Sequence, residues 1–318
     1  MKYKRYCLRG CLAFFALVLC LSTLLVSCAQ KRPEAVLHDV GSVGYIPCIG
    51  NDEYIEISSE QAFVYDLNAG GFTYIKGADR VLYPASTTKL LTIIYALTLL
   101  EPDELVTPGD EISLVPDGSS VAYVNSTHTL TVEMLIEGML IPSGNDAAYA
   151  LAAAGGRRIY SGEDDISGEQ AVGIFMDGMN EYAKSIGLCG SRFLTPDGYS
   201  DEGHYSTVED IAIISSLAYE NDIIRKYAAM PEDDVVYASG HTNHWKNTNL
   251  MLDKDSKYYS PYVTGLKTGS LGRGNYSLIC SVEISGRSYI VGVFSSRSTD
   301  TRFDDMLTLI DRIYAVSA

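Results

Sequence analysis

The feature that most constrains this chain is the Ser-x-x-Lys unit at Ser86-Thr87-Thr88-Lys89, which opens an apolar segment. Apolar residues recur at helical spacing after it and predict a buried helix that begins at or near Ser86. Positions i and i+3 share one helix face, so the Lys89 amine can lie beside the Ser86 hydroxyl. A desolvated, neutral lysine can take a serine proton. Taken alone, the unit is better explained as a helix cap, because about one Ser-x-x-Lys arises by chance in such a chain.

Two further units follow along the chain. Ser143 and Asn145 form Ser-x-Asn in a Pro-Ser-Gly-Asn turn between two segments predicted to be helical, and such a turn can present side chains into a cleft. Lys267-Thr268-Gly269 lies where a predicted strand ends. The ordered set Ser-x-x-Lys, Ser-x-Asn and Lys-Thr-Gly is far more specific than any single unit. It is the motif set of penicillin-binding proteins and class A β-lactamases.

The sequence from about residue 60 to 316 resembles the low-molecular-mass penicillin-binding proteins that act as D-alanyl-D-alanine carboxypeptidases. The resemblance implies an α/β (α+β) fold of the β-lactamase/transpeptidase type. Such a domain has three layers, with a mainly antiparallel sheet flanked by helices. A helical subdomain would carry Ser143 and Asn145 across a cleft from Lys267. The matching segments are residues 83–89, 141–147, 193–198, 204–207 and 265–269.

The resemblance also implies a reaction. Ser86 would attack the carbonyl between two D-alanines of a peptidoglycan stem peptide, and an acyl-enzyme would form as free D-alanine leaves. Lys89 would be the base for that attack, and Ser143 would relay a proton to the leaving amine with Lys267. Backbone N–H groups of Ser86 and Ser270 would form the oxyanion hole.

Substrate binding is implied at a second set of positions. Asn145 would hold the substrate amide and orient Lys89, while the strand of Lys267 would pair with the extended peptide. Thr268 could bind the terminal carboxylate. Arg302 matches the carboxylate-binding arginine of the family, with a surface charge at a helix start as the alternative. The implied substrate-binding residues are Asn145, Lys267, Thr268, Gly269 and Arg302.

The N-terminal residues predict export. Four basic residues precede an apolar run that starts at Cys11, and no acidic residue occurs before Glu34. The run ends in Leu-Val-Ser-Cys28, which resembles a bacterial lipobox, so a lipid on Cys28 would hold the protein at the outer face of the membrane. Plain secretion and an uncleaved anchor are the alternatives. We expect a signal peptide at 1–27, a tether at 28–60 and the D,D-peptidase domain at 61–318.

Composition excludes several function classes. Without the four basic residues of the signal, 20 basic residues oppose 40 acidic ones, which disfavours nucleic acid as a partner. Three widely spaced cysteines remain after the export segment, an odd set that is no disulfide framework. His241 and His244 lack a third ligand at a recognisable spacing, so a polar loop is expected there and neither a metal nor an organic cofactor is implied. His204 is interpreted as structural.

Related activities remain as alternatives. A class A β-lactamase uses a glutamate in a Glu-x-x-Leu-Asn loop for deacylation, and this pattern is absent from the sequence. β-Lactams are therefore expected to inhibit by staying on Ser86. A D,D-endopeptidase of the same fold is a close alternative, since only the product distinguishes it. A non-catalytic wall-binding or antibiotic-sensing lipoprotein is the alternative from another class.

The remaining pattern predicts the elements around these motifs. A hairpin is expected around residues 68–71, and Thr131 is expected to cap a helix. Ser206 with Glu209 is typical of a capping box. Further strands are expected at 234–238, 262–267, 276–284 and 289–294, and helices at 171–186 and 302–315.

Overall fold

The computed structural model of the protein describes residues 45–47, 55–199, 203–272 and 274–317. These described residues belong to one compact unit. The predicted signal peptide, Cys28 and most of the predicted tether lie outside the described residues.

The described elements are seven α-helices, ten strands and two 3₁₀ turns. The helices are α1 (Lys89–Ala96), α2 (Val132–Leu140), α3 (Asn145–Ile159), α4 (Gly168–Ser185), α5 (Val208–Glu220), α6 (Asp222–Ala228) and α7 (Thr299–Ser317). The strands are β1 (Tyr45–Pro47), β2 (Gln61–Asp66), β3 (Gly71–Lys76), β4 (Leu105–Val106), β5 (Leu130–Thr131), β6 (Glu232–Val236), β7 (Thr242–Lys246), β8 (Lys267–Gly272), β9 (Asn275–Ile284) and β10 (Arg287–Ser296). The 3₁₀ turns are Ala85–Thr88 and Asp110–Leu114.

The main sheet has six strands in the order β1-β3-β2-β10-β9-β8, and every neighbouring pair is antiparallel. The predicted hairpin is β2–β3, and the predicted antiparallel sheet is confirmed. Strand β8 stands at one edge, where its register with β9 pairs Lys267 with Ile279 and Ser270 with Tyr276. The edge position leaves one side of β8 available for pairing with an extended peptide.

Apolar side chains pack on both faces of the sheet. Successive side chains of a strand point to opposite faces, so one strand contributes to the packing on each side. Phe63 of β2 belongs to a large apolar cluster that includes Leu90 of α1 and Leu135 of α2. The next residue, Val64, belongs to a second cluster with Phe303 of α7. This alternation produces the predicted three layers of helices, sheet and helix.

Several boundaries differ from the prediction. Lys267 begins β8 instead of ending a strand, although Thr264 and Leu266 already donate backbone hydrogen bonds to β9. The predicted Ser206 cap is wrong, because the Ser206 backbone pairs with Leu82 and the following residue, Thr207, caps α5.

Two further local predictions have clear outcomes. Thr131 caps α2 as predicted, and its hydroxyl accepts a hydrogen bond from the Met134 N–H at 3.1 Å. The polar loop expected around His244 is wrong: this residue lies in strand β7, which pairs with β6 in a separate hairpin.

Candidate active site

The Ser86 turn places the serine and lysine side by side. The chain enters the 3₁₀ turn through Ala85, whose φ of +51° is uncommon for a residue with a side chain. The turn continues directly into α1, so residues three apart face the same way. Lys89 Nζ lies 2.9 Å from Ser86 Oγ, as the spacing predicts. The backbone strain at Ala85 persists only where the surrounding packing enforces it.

Lys89 is fully buried, and its amine has three oxygen neighbours. Besides Ser86 Oγ, these are Asn145 Oδ1 at 2.6 Å and the Asp197 backbone carbonyl at 3.2 Å. Both carbonyl oxygens can only accept hydrogen bonds, so the two N–H groups of a neutral amine would point to them. The lone pair would then face the Ser86 hydroxyl.

Burial lowers the pKa of Lys89 to about 8, while the charges of Asp197 and Asp146 oppose that change. The charged form loses hydration in the interior, and this effect outweighs the two carboxylates. A substantial fraction of the amine is therefore neutral at a slightly alkaline pH. That is the form which a proton acceptor needs.

The Ser143 turn is held by backbone contacts. Ser143 has a φ of +64°, and Asn145 opens α3 with its N–H donated to the Ser120 carbonyl at 2.8 Å. The buried Asp146 carboxylate accepts from the N–H groups of Ala122 and Val124, each at 2.7 Å. These contacts fix the loop before the turn and thereby the direction of Asn145.

Strand β8 carries the third motif. Lys267 is buried, and its amine donates to the Thr268 carbonyl at 3.1 Å. Burial, followed by the charges of Lys89 and Arg302, holds the pKa of Lys267 well below its usual range. A Cβ on Gly269 would lie 3.0 Å from the Pro84 carbonyl oxygen, so glycine allows β8 to approach the Ser86 turn closely.

Two further predicted residues flank the end of this strand. The side chain of Ser270 is exposed. Arg302 of α7 is buried, so the interpretation of a surface charge at a helix start is wrong. Its guanidinium donates to the Gly269 carbonyl at 3.0 Å and to the Ser277 carbonyl at 3.4 Å. Burial lowers the pKa of Arg302 to about 10.

The site therefore collects three basic side chains inside an acidic chain. Lys89, Lys267 and Arg302 are 0%, 1% and 7% exposed, respectively. Within the described part of the chain, none of them forms an ion pair with a carboxylate. Buried basic groups without an anionic partner carry a charge only at a cost, and here three of them line one cleft. The arrangement fits a ligand that brings a carboxylate.

The sequence profile of the D-alanyl-D-alanine carboxypeptidase family matches residues 49–298. The chain belongs to this family. Among its curated relatives, the D-alanyl-D-alanine carboxypeptidase of a Streptomyces species (strain K15) is 32% identical over 79% of this chain and 86% of that protein. DacF of Bacillus subtilis, also named a D-alanyl-D-alanine carboxypeptidase, is 28% identical over 80% of this chain, which spans only 61% of DacF.

Solved structures of the family share the fold. The crystal structure of the Streptomyces K15 DD-transpeptidase has a TM-score of 0.72 at 29% identity, covering 82% of this chain and 98% of that chain. Penicillin-binding protein D2 of Listeria monocytogenes, solved with ampicillin bound, has a TM-score of 0.66 at 25% identity. It covers 82% of this chain and all of that chain. The predicted family and fold are confirmed.

Sequence reasoning left out one histidine that lies beneath the Ser86 turn. His204 is fully buried, and its Nδ1 accepts from the Leu194 N–H at 3.1 Å. Its Nε2 therefore carries the proton and donates to Thr88 Oγ1 at 2.9 Å. Burial lowers the pKa of His204 to about 4, so this contact persists at neutral pH. The sequence signal that could have pointed to this histidine is the family-like segment at residues 204–207, which begins with His204.

Residues 45–47, 55–199, 203–272 and 274–317 contain neither a metal site nor a membrane-spanning helix. No group of three or more His, Cys, Asp and Glu side chains in those ranges is placed to hold a metal ion. In the same part of the chain, every helix is too short or too polar to cross a membrane.

Proposed function

We propose that the protein is a serine-type D-Ala-D-Ala carboxypeptidase that removes the terminal D-alanine from peptidoglycan stem peptides. One observation carries the proposal: the buried Lys89 amine lies 2.9 Å from Ser86 Oγ while Asn145 and the Asp197 carbonyl hold its other side. A serine so placed has a proton acceptor directly beside it. The names of the family and of its relatives agree with this activity.

Acylation follows from this geometry. Neutral Lys89 takes the hydroxyl proton of Ser86 as Oγ bonds to the carbonyl carbon between the two D-alanines. The carbonyl oxygen becomes an oxyanion, and the backbone N–H groups of Ser86 and Ser270 would stabilise it. The C–N bond then breaks, and the proton held on Lys89 would pass to the departing amine through Ser143, with Lys267 as a second member of that relay. Water later hydrolyses the ester and restores Ser86.

Substrate recognition would use the edge of the sheet and the buried cations. An extended stem peptide can pair with β8, the last strand of the sheet, and Asn145 would meet it from the opposite side. The terminal carboxylate would lie near Thr268, whose hydroxyl is 2.5 Å from that of Thr248. Arg302 supplies positive charge there, and a bound carboxylate would favour the charged form of Lys267. A carboxylate requirement favours cleavage at the end of the peptide.

β-Lactams would react at the same serine. The ampicillin-bound relative from Listeria monocytogenes has the same fold. In this chain the cyclic amide would take the place of the D-Ala-D-Ala bond, so Ser86 would attack it with the same help from Lys89. The resulting ester would block the site for as long as water fails to hydrolyse it.

The test is the mass of the product. A muramyl pentapeptide ending in D-Ala-D-Ala and, separately, a crosslinked muropeptide are incubated with the protein and with its Ser86→Ala variant. Loss of one alanine with the unchanged protein alone is the expected result. Separated crosslinked muropeptides without loss of a terminal alanine would indicate an endopeptidase. Labelling of Ser86 by a fluorescent penicillin without any turnover would indicate a sensor, and either result would overturn the proposal.

We also infer that Cys28 carries a lipid and that the catalytic domain lies outside the cytoplasm. The support is the basic start, the apolar run and the Leu-Val-Ser-Cys28 ending, together with a family whose peptide substrate is part of the cell wall. In a bacterial host, labelled palmitate should enter the protein and should be lost in Cys28→Ala. Equal labelling of both proteins would refute the lipid site.

A further inference from the structure

The loop that contains Asp197 is pressed against the Ser86 turn. Gly198 has a φ of +75°, and a Cβ at this position would lie 1.9 Å from the Ala85 carbonyl oxygen. The Thr92 hydroxyl of α1 donates to the Pro196 carbonyl at 2.7 Å. The residue between Pro196 and Gly198 is therefore fixed on both sides. Its backbone carbonyl contacts Lys89, as described above.

The Asp197 side chain has one oxygen without a partner. The residue is fully buried, and its Oδ1 accepts from the Tyr199 N–H at 3.0 Å. Its Oδ2 is buried and has no hydrogen-bond partner in the described structure. Most buried polar atoms in native proteins are hydrogen-bonded, so an unpaired buried carboxylate oxygen calls for an explanation. Asp197 lies in the family-like segment 193–198, but it is not part of the Ser-x-x-Lys, Ser-x-Asn or Lys-Thr-Gly motifs.

The charge of Asp197 acts on three buried groups, namely Lys89, Tyr149 of α3 and His204. Burial and the Asp197 charge raise the pKa of Tyr149, which keeps the phenol neutral. The Nδ1 of His204 accepts from a backbone N–H, and this group stays neutral as well. Lys89 is the group among the three that gains a proton in the proposed reaction.

The other charges that face Lys89 do not offer the same help. Asp146 of α3 also favours its charged form, but both carboxylate oxygens of Asp146 already accept backbone N–H groups. Lys267 of β8 repels the charge on Lys89. Asp197, unlike Asp146, therefore keeps a carboxylate oxygen that can still accept a hydrogen bond. A charged acceptor of this kind is what a new ammonium group needs.

We propose that Asp197 is a positioning residue that stabilises the ammonium form of Lys89 while Ser86 is acylated. This inference rests on the function proposed above. The proton moves from Ser86 Oγ to Lys89 Nζ as the Oγ–C bond forms, and it stays on Lys89 until the leaving amine is protonated. Asp197 takes no proton. Its carboxylate opposes the loss of hydration that the buried ammonium suffers, as the aspartate of a catalytic triad does for its histidine.

The test measures acylation by a fluorescent penicillin as a function of pH for the protein and for Asp197→Asn. The neutral amide has nearly the same shape, so Lys89 loses a negative neighbour and its proton affinity falls. The pH midpoint of acylation should move down by about one unit, and the maximal rate should fall about tenfold. Asp305→Asn is the matched control, because Asp305 is also buried but accepts from Ser58 and Ser59.

Each outcome decides the inference. An unchanged midpoint, whether the rate falls or not, overturns it, because a structural defect lowers the rate without moving the proton affinity of Lys89. Should Asp197→Asn fail to fold, Asp197→Ser is measured in the same way with lysine side-chain NMR as a second readout. Labelling of the Ser86→Ala variant by the fluorescent penicillin, or no labelling of the unchanged protein, would refute the proposed function itself.

Discussion

Replacing Asn145 by aspartate should shift the pH range in which Ser86 reacts. The Asn145 Oδ1 atom accepts from Lys89 Nζ at 2.6 Å, and aspartate keeps the shape while adding a negative charge at that contact. An opposite charge this close stabilises the ammonium form of a lysine. The pKa of Lys89, about 8 in the unchanged protein, should therefore rise.

The size of the effect follows from the fraction of neutral amine. With a pKa of about 8, roughly a tenth of Lys89 is neutral at about pH 7. Each unit of increase removes a further factor of about ten at that pH, and a new ion pair typically gives a shift of roughly one to three units. Because the amide contact is lost as well, we expect acylation to slow by about 10- to 100-fold at about pH 7. The rate should recover as the pH rises above the new pKa.

The assay is the rate of labelling by a fluorescent penicillin across neutral and alkaline pH. Asn68→Asp is the control, because it adds the same charge in the β2–β3 turn, where Asn68 accepts from the Ser288 N–H at 2.8 Å. The control should follow the unchanged protein. An Asn145→Asp rate that falls equally at every pH would refute the reasoning, since it would mean that Lys89 is not the titrating base.

Three further predictions concern stability, packing and substrate. Burial and a hydrogen bond to Asp233 raise the pKa of Glu137 from 4.5 to about 8. Between these two pH values the folded chain keeps a proton that the unfolded chain loses, so the stability of the fold falls as the pH rises through this window. Glu137→Gln should be more stable by about 3 kcal/mol at neutral pH and equal at acid pH in chemical denaturation; equal curves at both would contradict this. Gly269→Ala should separate β8 from the Ser86 turn by a few tenths of an ångström and slow acylation by about tenfold, whereas Gly71→Ala, with open space around it, should not. A pentapeptide with an amidated terminus should lose at least about tenfold in kcat/KM, because the buried cations lose their carboxylate; equal rates would refute that role.

The sequence predicted the local parts of the site well. The contact between Ser86 and Lys89 depends on i,i+3 spacing alone, and the structure has it despite a 3₁₀ turn in place of the first α-helical turn. The alternating pattern of β2 likewise predicts which side chains meet the two apolar clusters. These features depend on neighbours in sequence.

The parts that failed depend on distant segments. Backbone pairing between Ser206 and Leu82 moves the helix cap to Thr207, and no local pattern reports that pairing. For Arg302 the sequence left a surface charge open beside a carboxylate-binding role, because no local pattern reports that β8 and β9 place two carbonyl groups against its guanidinium. Asp197 is not part of the three catalytic motifs, and its proposed role follows from the approach of its loop to the Ser86 turn.

Burial and charge together explain how two lysines divide their tasks in one cleft. Each of Lys89 and Lys267 is desolvated, and the charge of Lys89 disfavours a charge on Lys267. A substrate carboxylate near Thr268 would stabilise positive charge on Lys267, and repulsion would then leave Lys89 as the neutral partner. Binding of the correct terminus would thus prepare the base that attacks the bond next to it. The charges of Asp197 and Asp146 act in the opposite direction on the pKa of Lys89. They keep its amine basic enough to accept the Ser86 proton.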